Sequence, residues 1–486
     1  MNSINNTFFN HVVYVDNLWV KYRDSDWVLK GVNLNIGKGE SVLIVGSSGG
    51  GKTTLARALC GLAEKIFRVE IKGRIEICSK PVHQMDLYEL QKCIQIVNQD
   101  PYTHFLEPIP IEDMITYAEG IYGSKSYEIV DHVLKMFKVE EIARKPIVNL
   151  SGGQLRRLAI AKALITDPKI VVLDEPLMWL DDFDGIDLVM SVLKTLRSLK
   201  KTVIVFEHRF LRLLNLFDNV YNLNNGHLYK LDRDMVFHKI DDRTNTDKAT
   251  YKYRGINENT CREGPVLELK DVWFRYDRGS DWLLKGVELN VCRGDNIVIY
   301  GRNGSGKSTL LRIIAGILKP VRGIRKVYAK VLYVPQVPYL FITEDSVFSE
   351  VKTICRHTIK NNTCINEGTE VLKKFGFTNL DVPPINLSWG QQTRLAVLLS
   401  YIASRNGVVI LDEPFTGSTY LDSFNIIDLL LKLDNVAKII TLSSKDYIPL
   451  FKDARTYILD EGTLKSFEYR DITISKIVEL SKLIYQ

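Results

Sequence analysis

Gly46–Thr53 reads GSSGGGKT and Gly301–Ser308 reads GRNGSGKS, and these two octets decide the fold. Each satisfies G-x-x-x-x-G-K-[ST], a loop whose glycines let successive backbone N–H groups turn inward around phosphate oxygens while the following helix points its positive end at them. In the first octet Gly46, Ser47, Ser48, Gly49, Gly50 and Gly51 form the cradle and Lys52 reaches the β- and γ-phosphates. Thr53 offers its hydroxyl to Mg²⁺, and Thr54 follows on the helix. The same places in the second octet fall to Gly301, Arg302, Asn303, Gly304, Ser305 and Gly306, then Lys307, Ser308 and Thr309. An apolar run precedes each loop, Val42–Val45 and Ile297–Tyr300, and a helical pattern follows. That is the strand, loop and helix order the motif needs, so two nucleotide sites are expected.

The loops belong to a longer repeat. Val12, Val15, Leu18 and Val20 before Tyr22 return as Val266, Leu267, Leu269, Val272 and Phe274 before Tyr276, and WVLKGVNL returns as WLLKGVEL. The copies are offset by 276 − 22 = 254 residues at the tyrosines and 307 − 52 = 255 at the lysines, which makes the chain a duplicated domain. Gln99 ends one apolar strand and Gln336 another; LSGGQ at Leu150–Gln154 and LSWGQ at Leu387–Gln391 follow. The intervals from glutamine to serine are equal, 151 − 99 = 52 and 388 − 336 = 52, and two helices are expected in each. Lysine to glutamine takes 99 − 52 = 47 residues in the first copy and 336 − 307 = 29 in the second, so the second copy is expected to lack a β-rich arm.

IVVLDEP at Ile170–Pro176 and VVILDEP at Val408–Pro414 are continuous apolar runs, as buried parallel strands require, and each ends in two carboxylates. Asp174 and Asp412 are placed to hold Mg²⁺ through its waters, and Glu175 and Glu413 to polarise water against the γ-phosphate.

Composition agrees. The chain has 486 residues, long enough for two or three domains, with 45% hydrophobic and 25% charged residues, as in soluble globular proteins. A net charge of +6, spread along the chain, gives no case for nucleic acid. Seven cysteines without zinc-site spacing fit a reducing compartment. Met1–Val15 has no basic leader, and the longest uncharged run further along, Val331–Thr343, is broken by Pro335 and Pro338; neither a signal peptide nor a membrane helix is expected.

With these motifs the chain resembles the ATP-binding cassette superfamily from Val12 to about Thr463, and LSGGQ is the most specific part of the likeness. The resemblance implies an α/β fold: two tandem P-loop (RecA-like) nucleotide-binding domains, each with a parallel core sheet, an antiparallel β subdomain and a helical signature subdomain. Expected boundaries are 12–231 and 265–466 for the domains, 232–264 for a solvated linker and 467–486 for a helical tail. It also implies that ATP and Mg²⁺ bind in two composite sites, each closed by the serine motif of the other copy. Site one takes Tyr22 against adenine, Lys52, Thr53, Gln99, Asp174, Glu175 and the switch histidine His208, closed by Ser388, Gly390 and Gln391. Site two takes Tyr276, Lys307, Ser308, Gln336, Asp412 and Glu413, closed by Ser151, Gly152, Gly153 and Gln154. Gln99 and Gln336 join Thr53, Ser308 and the two aspartates as metal ligands in that scheme.

The sites are expected to differ. The second copy reads TLSSKD at Thr441–Asp446 where the first has His208, and Lys445 and Ser444 are both candidates for the histidine's place. Trp389 replaces a glycine of LSGGQ; at positive φ a tryptophan costs roughly 1–2 kcal/mol, and elsewhere little. Asp422 follows Glu413 by nine residues (422 − 413), Asp181 follows Glu175 by six (181 − 175), so the loops between differ. Site one is therefore expected to hydrolyse faster.

Several runs resemble the fused ATPases of energy-coupling factor importers of vitamins or metal ions: NQDP at Asn98–Pro101, FEHRF at Phe206–Phe210, DEPL at Asp174–Leu177 and DEPFTG at Asp412–Gly417. That resemblance implies a membrane coupling subunit and a substrate-binding membrane subunit as partners, at the cytoplasmic face of the membrane. Tyr102 and Phe105 are candidates for the contact. Tandem sugar or peptide importers are an alternative. So are ribosome-acting cassettes, though those carry a long charged helical linker or an iron–sulfur domain, and the join here spans 264 − 232 + 1 = 33 residues of mixed charge.

Overall fold

The apolar run before each phosphate loop becomes the centre of a parallel sheet. The computed structural model describes residues 11–23, 25–46, 49–67, 69–177, 184–208, 213–231, 250–253, 261, 264–358, 363–404, 406–418, 420–451 and 453–470. Ser47, Ser48, Asp181, most of the join and residues 471–486 of the expected helical tail lie outside the described residues. The chain divides into two compact units, one running to Asp242 and the other beginning at Arg243.

In the first unit the strands are β1 (His11–Lys21), β2 (Leu29–Gly37), β3 (Ser41–Val45), β4 (Glu70–Ile77), β5 (Lys80–Pro81), β6 (Ile94–Val97), β7 (Ile170–Asp174), β8 (Thr202–Glu207), β9 (Asn219–Asn224) and β10 (His227–Lys230). One sheet has the order β10-β9-β3-β8-β7-β6, parallel from β9 to β6 with β10 antiparallel at the edge. Strands β3, β7 and β8 are buried along their whole length, which explains why they read as unbroken apolar runs. The other sheet, β2-β1-β4-β5, is antiparallel. Its inward residues share one core with α1 (Lys52–Leu59) and the parallel sheet: Val13, Val15, Leu18 and Val20 are buried beside Val42, Leu55 and Val172. The jump from 15 to 18 in that alternation is a β-bulge, with Asn17 at φ 45° between the two phases.

The other helices of this unit are α2 (Leu62–Lys65), α3 (Leu87–Cys93), α4 (Pro110–Tyr122), α5 (Ser126–Phe137), α6 (Gly152–Ala163) and α7 (Asp184–Ser198). As expected, two helices, α4 and α5, fill the interval between Gln99 and Ser151.

The second unit repeats the plan with β11 (Thr250–Tyr253), β12 (Leu267–Phe274), β13 (Leu284–Val291), β14 (Asn296–Tyr300), β15 (Arg322–Val327), β16 (Val331–Val334), β17 (Val408–Leu411), β18 (Ala437–Leu442), β19 (Arg455–Asp460) and β20 (Thr463–Arg470). Its sheets are β11-β20-β19-β14-β18-β17-β16 and β13-β12-β15. The same bulge recurs between Leu269 and Val272, with Asp271 at φ 48°. Helices α8 (Lys307–Ala315), α9 (Val347–Thr358), α10 (Thr363–Lys374), α11 (Trp389–Ser404) and α12 (Tyr420–Lys432) complete it.

Four expectations change. The segment that the second unit lacks is not β-rich: it is the two-residue β5, a 3-10 turn at Val82–Gln84 and α3, since β15 runs almost directly into β16. Within the expected linker, Thr250–Tyr253 pairs antiparallel with Phe467–Arg470 and extends the sheet, because β20 leaves an open edge there. The helical tail expected from 467 therefore starts with four residues of strand. Finally, Cys261 pairs with Cys292 and Cys355 with Cys364 as disulfides, a proximity that separations of 31 and 9 residues did not reveal. Among the described residues no helix is long and apolar enough to cross a membrane.

Candidate functional site

Each phosphate loop is shaped by what a side chain would strike. Gly46 leaves β3 so close to the sheet that a Cβ there would lie 2.2 Å from the carbonyl oxygen of Leu223. Gly51 and Gly306 cap α1 and α8 at φ 102° and 101°, a conformation open to glycine and strained for other residues. Lys52 and Lys307 open the two helices, are buried, and donate back to the first residue of their own loops: Nζ to the Gly46 oxygen at 3.0 Å and to the Gly301 oxygen at 2.8 Å. Buried ammonium groups beside the N–H groups of a helix start form the positive cradle that nucleotide phosphates require.

Both carboxylate pairs sit where expected, at the end of a buried strand. Beyond Asp174 and Asp412 the chain turns sharply, with Glu175 and Glu413 each at φ 48°. A non-glycine residue held there costs about 1–3 kcal/mol, which the surrounding bonds must impose. One such bond runs from the Glu175 N–H to the Phe206 oxygen (2.8 Å), the other from the Glu413 N–H to Thr441 Oγ1 (3.0 Å). The turn aims each glutamate back at the lysine of its own unit.

In the first unit Glu175 Oε1 lies 3.7 Å from Lys52 Nζ and 3.4 Å from His208 Nδ1, and Oε2 accepts from Gln99 Nε2 at 2.8 Å. Sequence reasoning missed Glu207, which is fully buried beneath this cluster. It accepts from the backbone N–H of His208 (2.8 Å) and of Leu177 (3.0 Å), so it holds the strand ends on both sides of the site. A carboxylate closing the otherwise apolar run TVIVFE was the available signal. Burial pushes the Asp174 carboxyl up to about 6, the neighbouring Glu175 adds to this, and the Thr53 hydroxyl and Lys52 oppose it. A divalent cation at Asp174 and Thr53 would reverse the balance and hold the carboxylate ionised.

The second unit has the same frame with other contacts. Lys307 Nζ approaches Glu413 Oε1 to 3.0 Å, and Ser443 Oγ donates to Oε2 at 2.5 Å. Gln336 does not reach the glutamate; its amide turns to Thr416 Oγ1 at 3.5 Å. Register settles what replaces the histidine: Val45 pairs with Glu207 and Tyr300 with Leu442, so His208 corresponds to Ser443 rather than Ser444 or Lys445. Asp412 accepts from Ser308 Oγ (3.0 Å), Thr441 Oγ1 (3.0 Å) and, unforeseen, the Tyr333 hydroxyl (2.9 Å). Burial beside Asp412 raises the Tyr333 phenol far above its ordinary range, so it donates as the neutral group. In both units a hydroxyl and an aspartate lie together, the oxygen donor set that suits Mg²⁺.

Tyr22 and Tyr276 reach across to the loop helices, with hydroxyls 3.3 Å from Thr54 Oγ1 and 2.9 Å from Thr309 Oγ1. Ser151 and Ser388 start α6 and α11 as reciprocal caps. In each, the serine Oγ accepts from the N–H three residues on, and the side chain of Gln154 or Gln391 accepts from the serine N–H. Gly152 is helical with open space at its Cβ, and Trp389 takes the matching first place in α11. The tryptophan therefore sits without backbone strain, stacked edge-on to Tyr339 and over Gly417. Gly390 is needed, since a Cβ there would meet Asp422 Cγ at 2.6 Å.

Comparison with known proteins agrees with this geometry: the model of the ABC transporter family matches residues 29–178 and 284–416. The chain belongs to that family. An ABC transporter ATP-binding protein of Clostridium perfringens is 30% identical over 474 residues, covering 86% of this chain and 83% of that protein. One from Treponema denticola is 27% identical over 484 residues, covering 93% and 96%. Among solved structures, the archaeal ribosome recycling factor aABCE1, in complex with the ribosomal stalk protein aP1, superimposes with a TM-score of 0.58 over 93% of this chain and 90% of that one; at 19% identity the likeness is one of fold. This ABC ATPase binds and hydrolyses ATP with Mg²⁺ as its cofactor.

Proposed function

We propose that this ABC ATPase is the tandem motor subunit of an energy-coupling factor importer, working at the cytoplasmic face of the membrane on separate coupling and substrate-binding membrane subunits to take up a vitamin or metal ion. The observation that carries the coupling is an exposed apolar patch beside each glutamine loop. In the first unit Leu106 is 92% and Val148 86% exposed, and a bond from the Ile147 N–H to the Pro108 oxygen (2.9 Å) brings their two loops together. Tyr102, 52% exposed, belongs with them. Phe105 does not: it is buried beneath Lys162, so Leu106 replaces it as the expected contact. The second unit presents Tyr339, Leu340 and Ile385 in the corresponding loops. Patches of this kind, next to a residue that touches the catalytic glutamate, suit a partner whose movement must reach the nucleotide. The runs NQDP, FEHRF, DEPL and DEPFTG favour the energy-coupling factor type.

In this reading Tyr22 and Tyr276 take adenine, and Lys52 and Lys307 take the phosphates. Thr53 with Asp174, and Ser308 with Asp412, would hold Mg²⁺, which would supply charge neutralisation at the phosphates. Glu175 accepts the proton of the attacking water, Gln99 holds that carboxylate and His208 meets the γ-phosphate. The serine motifs Ser151–Gln154 and Ser388–Gln391 start helices whose N-termini favour nucleotide charge.

The test is co-purification from detergent-solubilised membranes of the source cells. Small multi-helix membrane proteins are expected in stoichiometric amount with the native chain. They should be absent with a Leu106→Glu, Val148→Glu double variant whose ATPase activity in isolation is unchanged. Ribosomal proteins without any membrane partner would overturn the importer reading.

A further inference from the structure

Arg156 lies on the signature helix α6 with 2% of its surface exposed. Nη1 donates to the Asn98 oxygen at 2.9 Å and Nη2 to the Gln99 oxygen at 2.8 Å, a fork that grips two successive carbonyls at the head of the glutamine loop. The far end of the same loop is held from the same helix: Lys162 Nζ donates to the His104 oxygen (2.6 Å) and pairs with Asp113 (2.5 Å). Between the two, His104 Nε2 accepts from the Asn98 N–H at 2.8 Å and closes the loop on itself. The Gln99 side chain leaves this braced backbone and meets Glu175.

The second unit builds the corresponding places differently. Arg156 stands five residues after Ser151, and five after Ser388 is Thr393; Lys162 stands eleven after Ser151, and eleven after Ser388 is Leu399; His104 follows Gln99 by five, and Phe341 follows Gln336 by five. Thr393 bonds within its own helix, to the Trp389 oxygen at 3.0 Å. In that unit the glutamine amide faces Thr416 rather than Glu413.

We propose that Arg156 is a positioning residue for ATP hydrolysis, locking the signature helix and the glutamine loop of the first cassette into one piece so that Gln99 is held against Glu175. The inference rests on the reading of Glu175 as the base. A guanidinium fork fixes direction as well as distance, and movement of the helical subdomain then carries the glutamine with it. A displacement of about 1 Å at such a group changes rate by about a hundredfold.

The experiment measures kcat and KM for ATP on the full chain with Arg156→Gln, Arg156→Lys, Lys162→Met and, in the other unit, Thr393→Val, with Tm recorded for each. Arg156→Gln should lower turnover at the first site about 10- to 100-fold, so that kcat of the full chain falls toward about one-seventh of native, the share supplied by the second site, with KM unchanged within about twofold, since the phosphates are held by the Lys52 loop. Arg156→Lys, which can satisfy one carbonyl, should recover part of the loss. Lys162→Met should lower kcat less, and Thr393→Val should leave it alone. In a Glu175→Gln background Arg156→Gln should add nothing, because its route is already cut. The proposal is overturned by a stable Arg156→Gln variant with native kcat, by loss of kcat and Tm together without rescue by lysine, or by a full additional loss in the Glu175→Gln background. If Glu175→Gln itself keeps native turnover while Arg156→Gln does not, the base assignment fails and the proposed route fails with it; if Glu175→Gln falls to about one-seventh of native turnover and Arg156→Gln is native, the positioning role alone fails.

Discussion

Replacing each glutamate by glutamine, one at a time, should show that the two sites turn over unequally. Glu175 is 3.7 Å from its lysine and Glu413 is 3.0 Å from its own. At an effective dielectric of about 20 these separations correspond to about 4.5 and 5.5 kcal/mol of attraction, so Glu413 must give up about 1 kcal/mol more to turn from its lysine to a water. That is about a sixfold difference in rate. The hydroxyl of Ser443 at 2.5 Å and the turned-away Gln336 act in the same direction. Loss of a positioned base lowers its own site by about 10²- to 10⁴-fold, so each variant reports what the other site can do. Glu175→Gln should leave about one-seventh of native phosphate release, and Glu413→Gln about six-sevenths. The assay is steady-state phosphate release by the full chain at saturating Mg-ATP. Equal losses from the two variants, or the larger loss from Glu413→Gln, would refute the argument from geometry.

Two further outcomes follow from single side chains. Burial, with Lys162 and Arg156 nearby, pushes the His104 imidazole down to about 4, and its Nε2 accepts a bond only when neutral. The unfolded chain therefore binds the extra proton first as pH falls from about 6.5 toward 4, and stability contributed by the neutral ring, at most about 3 kcal/mol, is present above 6.5 and lost across that window. Tm measured from pH 7.5 to 5 should fall more steeply in the native chain than in His104→Gln; parallel curves would count against the assignment. Trp389→Gly, which restores the common LSGGQ, should destabilise the second unit by about 1–2 kcal/mol, because it puts glycine in a helix and removes the contact with Tyr339. A rise in Tm would mean that the tryptophan is strained after all.

What could be read from the sequence and what could not divide along a physical line. Phosphate loops, buried strands and helix caps are local: three to eight consecutive residues contain the whole device, so GSSGGGKT, IVVLDEP and LSGGQ state their geometry directly. The spacing of 52 residues placed two helices in each unit for the same reason, since a helix pair needs a fixed length of chain. Contacts made across the fold leave no such trace. Glu207 and Tyr333 act through residues 30 and 79 positions away, and the place of Ser443 became clear through strand register alone. Thr250–Tyr253 looks like linker because its partner strand lies more than two hundred residues on.

The asymmetry of the two cassettes is likewise spread over positions that no motif covers. Histidine against serine after the last catalytic strand was visible as a missing letter, yet its consequence depends on Glu413 being drawn to Lys307 instead. Arginine against threonine at the fifth position after the signature serine looks like an ordinary surface change on a helix, but here the arginine is buried and holds a loop 57 residues away in sequence. Both differences act on one group, the glutamate at φ 48°, which is strained in each unit and therefore takes its direction from whatever bonds surround it. In the first unit these bonds include, besides Lys52 and His208, the one from Gln99, and through it from the signature helix; in the second they come from Lys307 and Ser443, both next to the glutamate itself. A duplicated chain that keeps both phosphate loops can in this way make one half responsive to its helical subdomain and leave the other as a steadier clamp.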